Sequence, residues 1–317
     1  MDPKRILLVS LTNIGDVVLT TPVLEVLHQR WPKAEISFLV GETAASLFEV
    51  DPRVSEVIAY NKWAPFKSKL DLIARLRENY FDLIVDLKHS LLPWLVGAWH
   101  HTGWYRKRRE GVHRIESHLD LVRAFGLPAV DLPVRLHVDS SDETQVKQWL
   151  ADQPPNLPLV AMVPGARSHL KRWSSKGFAE VADTLMEQNG VQVVMIGDAS
   201  DQPAAREVMD QMRQQPMNLV GKTSLRQLAA LFHRMKLVIT NDSACLHVAT
   251  AASVPVVALF GPTDPVKYGP RGDQDTVCRL SLICSPCEQA LCPYGHECMQ
   301  WLKPDDVISA ARKVLAP

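Results

Sequence analysis

Apolar runs of strand length recur along the chain, each followed by a polar turn and then by apolar residues at helical spacing. In the first half the runs fall at 5–10 (Ile6, Leu7, Leu8, Val9), 35–40 and 82–86; in the second at 158–163, 191–196, 217–220, 236–240 and 255–260. Near-continuous Val, Ile and Leu are expected of parallel strands buried on both faces. The intervening segments predict helices at 16–30, 43–49, 68–79, 116–125, 142–150, 175–189, 201–214, 224–234, 244–252 and 304–315, with a further short strand at 134–138. Strand–helix alternation of this kind means an α/β fold of doubly wound parallel sheets covered by helices.

Three prolines in five residues (Pro154, Pro155 and Pro158) interrupt the pattern near its middle. They place a domain boundary there, giving a first domain at 1–153 and a second at 154–317. Two Rossmann-like domains facing across a cleft are expected, with ligands at the carboxyl ends of the strands.

Composition narrows the function. The 317 residues carry 35 Lys and Arg against 35 Asp and Glu, so no basic surplus marks a general nucleic-acid binder. The charge is unevenly spread. From Lys62 to Arg114 eleven Lys or Arg face five acids, a local surplus of six, densest at His100–Arg109. This stretch suits an anionic partner, or is a solvated loop. The start has no apolar core followed by a small-residue cleavage site, and the apolar runs are too short to span a bilayer. A cytoplasmic location with reduced thiols is therefore expected.

Chemistry gathers at the strand exits. Ile239-Thr240-Asn241-Asp242-Ser243-Ala244-Cys245-Leu246-His247 leads a strand through a polar turn into a small-residue helix. Free N–H groups and the helix dipole there suit phosphate, and the Asp242 carboxylate suits a ribose; a plain N-cap is the other reading. A turn of the same design, Asn13-Ile14-Gly15-Asp16, opens the chain. Gly15 permits a tight turn or close ligand approach, and Asp16 is a candidate base or an ordinary cap. The loop from Val163 to Ser174 packs Arg167, Lys171 and Arg172 between a strand and a helix capped by Ser174. Lys171 or Arg167 can neutralise a diphosphate. Thr263, in Phe260-Gly261-Pro262-Thr263, is placed to bond a ligand.

Two apparent nucleotide motifs fail. Gly221-Lys222-Thr223 resembles the end of a phosphate loop, but Pro216 stands where the first glycine belongs. No Gly-x-Gly-x-x-Gly occurs. Four cysteines, Cys284, Cys287, Cys292 and Cys298, are close enough in sequence to form one zinc site. A disulfide, or reduced thiols packed in a terminal loop, are the competing readings.

Taken in order, Asn13-Ile14-Gly15-Asp16 with Thr20-Thr21-Pro22, Pro164-Gly165-Ala166, Lys171-Arg172-Trp173, Asn241-Asp242-Ser243 with His247, Phe260-Gly261-Pro262-Thr263 and the cysteine-rich end resemble glycosyltransferase family 9, the heptosyltransferases of lipopolysaccharide core assembly. The resemblance covers nearly the whole chain. It implies a GT-B fold with an acceptor domain first and a nucleotide-sugar domain second. It also implies inverting transfer from ADP-heptose to the anionic inner core, with no cofactor required for catalysis and at most a structural zinc. Asp16 would be the base; Asn13, Gly15, Lys171, Asp242, Ser243, Ala244, His247 and Thr263 would bind substrate. Arg106 and Arg108 of the basic stretch would meet the acceptor, and through that acceptor the enzyme would sit peripherally at the inner face of the inner membrane. One departure stands out. Where the family often has a Glu after the glycine ending the second strand of this domain, the chain has Gly197-Asp198. A nucleotide-sugar epimerase or hydrolase of the same architecture, or a non-catalytic nucleotide binder, are the alternatives.

Overall fold

The computed structural model describes residues 2–103, 111–128, 132–151, 153–154 and 157–316. The chain divides into two compact units, 1–137 and 138–317.

In the first unit the elements run β1 (Arg5–Val9), α1 (Ile14–Val18), α2 (Thr21–Arg30), β2 (Glu35–Gly41), α3 (Glu42–Ala45) and β3 (Glu56–Tyr60). They continue with α4 (Phe66–Glu78), β4 (Leu83–Asp86), α5 (Leu92–Val96), β5 (His100–His101) and α6 (Arg114–Arg123). The strands form one parallel sheet in the order β3-β2-β1-β4-β5. Ile6, Leu7 and Leu8 are fully buried, as strands covered on both faces require. Leu76 of α4 and Val96 of α5 pack with Leu7, Val9, Leu39, Ile58 and Ile84 on one face.

The second unit runs α7 (Ser140–Leu150), β6 (Leu159–Val163), α8 (Ser175–Asn189), β7 (Gln192–Met195), α9 (Gln202–Met209), β8 (Met217–Asn218) and α10 (Leu225–Phe232). It continues with β9 (Leu237–Asn241), α11 (Ala244–Ala251), β10 (Val256–Leu259), α12 (Pro265–Tyr268), β11 (Thr276–Cys278), α13 (Glu297–Gln300) and α14 (Pro304–Leu315). Its parallel sheet has the order β11-β10-β9-β6-β7-β8. In both sheets the winding reverses beside the first strand: between β1 and β4, and between β6 and β9. Those switch points are where open α/β sheets bind ligands.

Several sequence expectations need correction. The unit boundary falls before α7, not after it, because α7 packs on α10 and Asp142 pairs with Arg226 at 3.1 Å. The segment 134–138 joins no ladder. Instead the Arg135 N–H donates to Thr21 Oγ1 (3.3 Å) and its carbonyl accepts from Arg53 (3.3 Å). The helix expected at 16–30 is two, since Thr20 Oγ1 turns back onto the Val17 carbonyl (2.7 Å) and Pro22 starts afresh. The short strands β3, β5 and β11 were not foreseen.

Arg53 also closes this region electrostatically. Its guanidinium grips Asp51 at 2.6 Å and Glu25 at 2.9 Å, with the Arg53 and Asp51 side chains 5% and 0% exposed. Removing one member of such a pair leaves an uncompensated buried charge, at a cost of about 3–5 kcal/mol. We expect Arg53→Met to destabilise the unfolding transition of the first unit by that amount in denaturant titration; a loss well under 1 kcal/mol would mean the pair is not effectively desolvated.

Candidate functional site

The second unit supplies a built site at its switch point. The loop after β6 folds into a single 3-10 turn at His169–Lys171, then enters α8 through Ser174, whose hydroxyl accepts from the Gly177 N–H (3.0 Å). The exit of β9 is pinned to this loop. Asn241, fully buried, donates to the Pro164 carbonyl (2.8 Å) and accepts from the Trp173 N–H (3.1 Å). The next residue, Asp242, is 5% exposed. Its Oδ2 accepts from Lys171 Nζ at 2.6 Å and from Thr263 Oγ1 at 2.6 Å. Three separate strand-exit turns thus meet on one carboxylate oxygen. Lys171 keeps further ammonium protons for a ligand, since an ammonium has three donors.

Ser243 is the N-cap of α11, and no side chain caps that helix; the Ser243 hydroxyl lies 3.4 Å from Thr240 Oγ1 instead. The first-turn amides, Ala244 among them, therefore have the uncapped geometry that binds anions. His247 is buried on the same helix.

Asp201 was not anticipated as part of this region. A Cβ at Gly165 would come within 2.1 Å of its carboxyl group, and one at Gly197 within 2.8 Å of its Cβ. Both glycines are needed to make room for it. Its Oδ2 accepts from the Asp198 N–H (3.1 Å), closing a capping box over the turn that departs from the family pattern. Burial raises the Asp201 carboxyl above the usual carboxylate range, against the pull of Arg172. The Cys245 thiol is pushed up to about 12, mainly by desolvation and then by Asp201. The capping pattern of Asp198 followed by Asp201 was the readable signal.

In the first unit Asp16 lies half-buried in the first turn of α1. It accepts from the Asn13 amide at 3.1 Å, which orients the carboxylate from its own turn. Gly15 sits inside that helix and is not among the positive-φ glycines. The close approach falls instead at Gly41, where a Cβ would lie 2.6 Å from the Thr12 carbonyl oxygen, so the end of β2 presses directly on the loop. Across the switch point, Asp86 accepts from the Lys88 and Ser90 N–H groups (2.8 and 2.7 Å). Lys88 lies over the Tyr60 ring at 4.5 Å, and burial lowers its pKa. Its position was not singled out from sequence. Arg106 and Arg108 lie outside the described residues.

The cysteines stand apart from this chemistry. All four are unbridged, with Cys284 and Cys287 exposed and Cys298 buried. Cys298 packs beneath Gly261, where a Cβ would be 3.0 Å from its sulfur. Burial raises its thiol pKa, and the other three thiols add to the effect. Among the described residues no three His, Cys, Asp or Glu side chains are grouped to hold a metal ion. Cys298 thus lies in the core, with Cys284 and Cys287 at the surface beside it.

A family model described as glycosyltransferase family 9 (heptosyltransferase) matches residues 69–297. The chain belongs to that family. Lipopolysaccharide heptosyltransferase 2 of Escherichia coli K12 is 28% identical over 313 residues, covering 87% of this chain and 88% of that protein. The crystal structure of the glycosyltransferase family 9 protein from Veillonella parvula superposes with a TM-score of 0.88 at 26% identity, covering 98% and 97% of the two chains. E. coli ADP-heptose lipopolysaccharide heptosyltransferase II gives 0.81 at 25% identity over 98% of each chain. The fold is GT-B, and the protein is a glycosyltransferase of heptosyltransferase type.

If the Asp242 junction holds the donor, Lys171→Ala and Asp242→Ala should each weaken ADP binding. A charge-assisted hydrogen bond contributes about 1.5–3 kcal/mol, or roughly ten- to a hundredfold in affinity. Titration calorimetry measures this directly, and unchanged affinity in both variants would refute the site.

Proposed function

We propose that this protein transfers heptose from ADP-heptose to the anionic inner core of lipopolysaccharide, with inversion at the anomeric carbon. The observation that carries the reading is the Lys171–Asp242–Thr263 junction beside the uncapped start of α11. It offers a cation and backbone amides to a diphosphate. The named heptosyltransferases similar to this chain support the choice of sugar and acceptor.

The chemistry follows from the residues. An acceptor hydroxyl attacks the anomeric carbon as the bond to the diphosphate breaks. Asp16 takes the hydroxyl proton, held in orientation by Asn13. Negative charge grows on the departing ADP, where Lys171 and the N–H groups at Ser243 and Ala244 stabilise it. His247 lines the same helix for the nucleotide sugar. Arg106, Arg108 and Lys88 serve the phosphates and carboxylates of the acceptor.

We place the enzyme in the cytoplasm, peripheral to the inner membrane. No helix among the described residues is long and apolar enough to cross a membrane. The first unit nevertheless exposes Trp63 (82%) and Phe66 (76%) at the start of α4, with Leu70 one turn on, and Trp94, Leu95 and Trp99 (90%) around α5. Phe66, Leu70 and Arg77 share one flank of α4, and Arg77 donates to the Leu95 carbonyl (2.6 Å). Lys62, Lys67, Lys69, Arg75 and Arg77 accompany these rings against Asp71 and Glu78. Exposed tryptophans among cations suit an anionic bilayer interface.

Purified protein should release ADP from ADP-heptose only when a lipid A–Kdo acceptor is present; release without acceptor would favour a hydrolase. Asp16→Asn should lower turnover by about a hundredfold or more while ADP affinity stays within a few fold. Near-normal turnover would remove Asp16 from the mechanism. In co-sedimentation, Trp63→Ser with Phe66→Ser should lose binding to phosphatidylglycerol vesicles yet retain activity on a delipidated acceptor; undiminished vesicle binding would exclude this face.

A further inference from the structure

The cysteine-rich end carries none of the groups assigned to substrate, yet it touches the site at two matching points. Lys171 and Thr263 are the two side chains that meet on Asp242. The peptide carbonyl immediately before each is bonded to this one segment. Before Lys171, the Leu170 carbonyl is bonded by His296 Nε2. Before Thr263, the Pro262 carbonyl accepts from the N–H groups of Cys287 (3.0 Å) and Glu288 (2.8 Å), and the Gly261 carbonyl accepts from Ser285 Oγ (2.6 Å). The Lys171 N–H, on the same peptide as the Leu170 carbonyl, donates to Ser168 (3.1 Å). Both polar groups of that peptide are therefore fixed, and its plane cannot rotate without losing a bond.

The packing beneath these contacts is tight. Met299 is fully buried, and a Cβ on Gly261 would lie 2.5 Å from its sulfur. The Trp173 indole, two residues beyond Lys171, donates to the Leu302 carbonyl (3.0 Å). His296 adopts φ 62°, in the left-handed region. Glycine would occupy that backbone with less strain. The ring is kept there at a conformational cost, which points to what the ring does. A carbonyl can only accept, so Nε2 carries the proton and the donating tautomer is defined.

We propose that the segment 285–302 is a clamp that sets Lys171 and Thr263 around Asp242, with His296 and Ser285 as positioning residues for the nucleotide-sugar donor. The inference rests on reading the Asp242 junction as the donor site. It gives the cysteine-rich end a role in donor affinity that needs neither thiol chemistry nor direct substrate contact. The long Lys171 side chain multiplies any rotation at its own backbone, so loss of the His296 bond misplaces the ammonium most.

The test is donor kinetics and ADP calorimetry on four variants. His296→Gly removes the ring and relieves the backbone, so a purely structural His296 predicts unchanged or greater thermal stability with unchanged ADP affinity. The clamp predicts ADP binding and donor KM weakened about three- to tenfold, the range of one net hydrogen bond, with acceptor KM unchanged. His296→Gln, which retains a terminal N–H donor, should recover most of that loss. Ser285→Ala should act in the same direction through Thr263. Lys171→Ala separates the two levels of the argument. If it weakens ADP binding while His296→Gly and Ser285→Ala do not, the clamp is wrong and the site stands. If Lys171→Ala itself leaves ADP binding intact, the site reading falls and the clamp with it. An equal rise in acceptor KM in His296→Gly would also overturn the clamp.

Discussion

The second unit is organised around one carboxylate oxygen. Asp242 is nearly inaccessible to water, so its charge must be met by protein groups. Lys171 and Thr263 meet it, from loops that leave two other strands. The need to compensate one buried charge draws them to a common point, and a cation is thereby fixed beside the uncapped start of α11. Asn241 repeats the logic one residue earlier with neutral partners, tying the β6 exit to β9 through Pro164 and Trp173.

How far the sequence discloses this depends on whether a feature is local. The helix α8 is bounded as expected at 175–189, because a Ser cap, an apolar stripe and the left-handed Gly190 all lie within its own stretch. The central strands are legible because burial on both faces leaves continuous apolar runs. The edge strands β3, β5 and β11 are short and only partly buried, so their composition carries little signal. The run at 134–138 has a strand's composition but finds its partners in Thr21 and Arg53, which no periodicity foretells.

The site divides along the same line. Asp16 with Asn13, and Ser243 at the head of α11, are turn chemistry and could be read in place. The pairing of Lys171 with Asp242 spans 71 residues, and the bond from His296 to Leu170 spans 126. Nothing local marks these partners. Asp201 is intermediate: its capping box is local, whereas the room made for it by Gly165 and Gly197 comes from separate turns. The resemblance implies ligand contact for both Lys171 and Asp242, and within the chain the two meet through Asp242 Oδ2.

Asp242 Oδ2 holds one bond from an ammonium and another from a hydroxyl, both at 2.6 Å. Asp16 is half-buried and accepts a single described side-chain bond, from a neutral amide at 3.1 Å. A neutral contact is weaker than one to a charged partner, so Asp16 is the less tightly bonded of the two acids. The Asn13 amide still fixes the direction of the Asp16 carboxylate. Gly41 presses on the same loop from β2 and limits its movement without touching the carboxylate. Asp16 follows the first strand of its sheet, whereas Asp242 follows the strand across the switch point from the first, and their hydrogen bonds differ as their positions do.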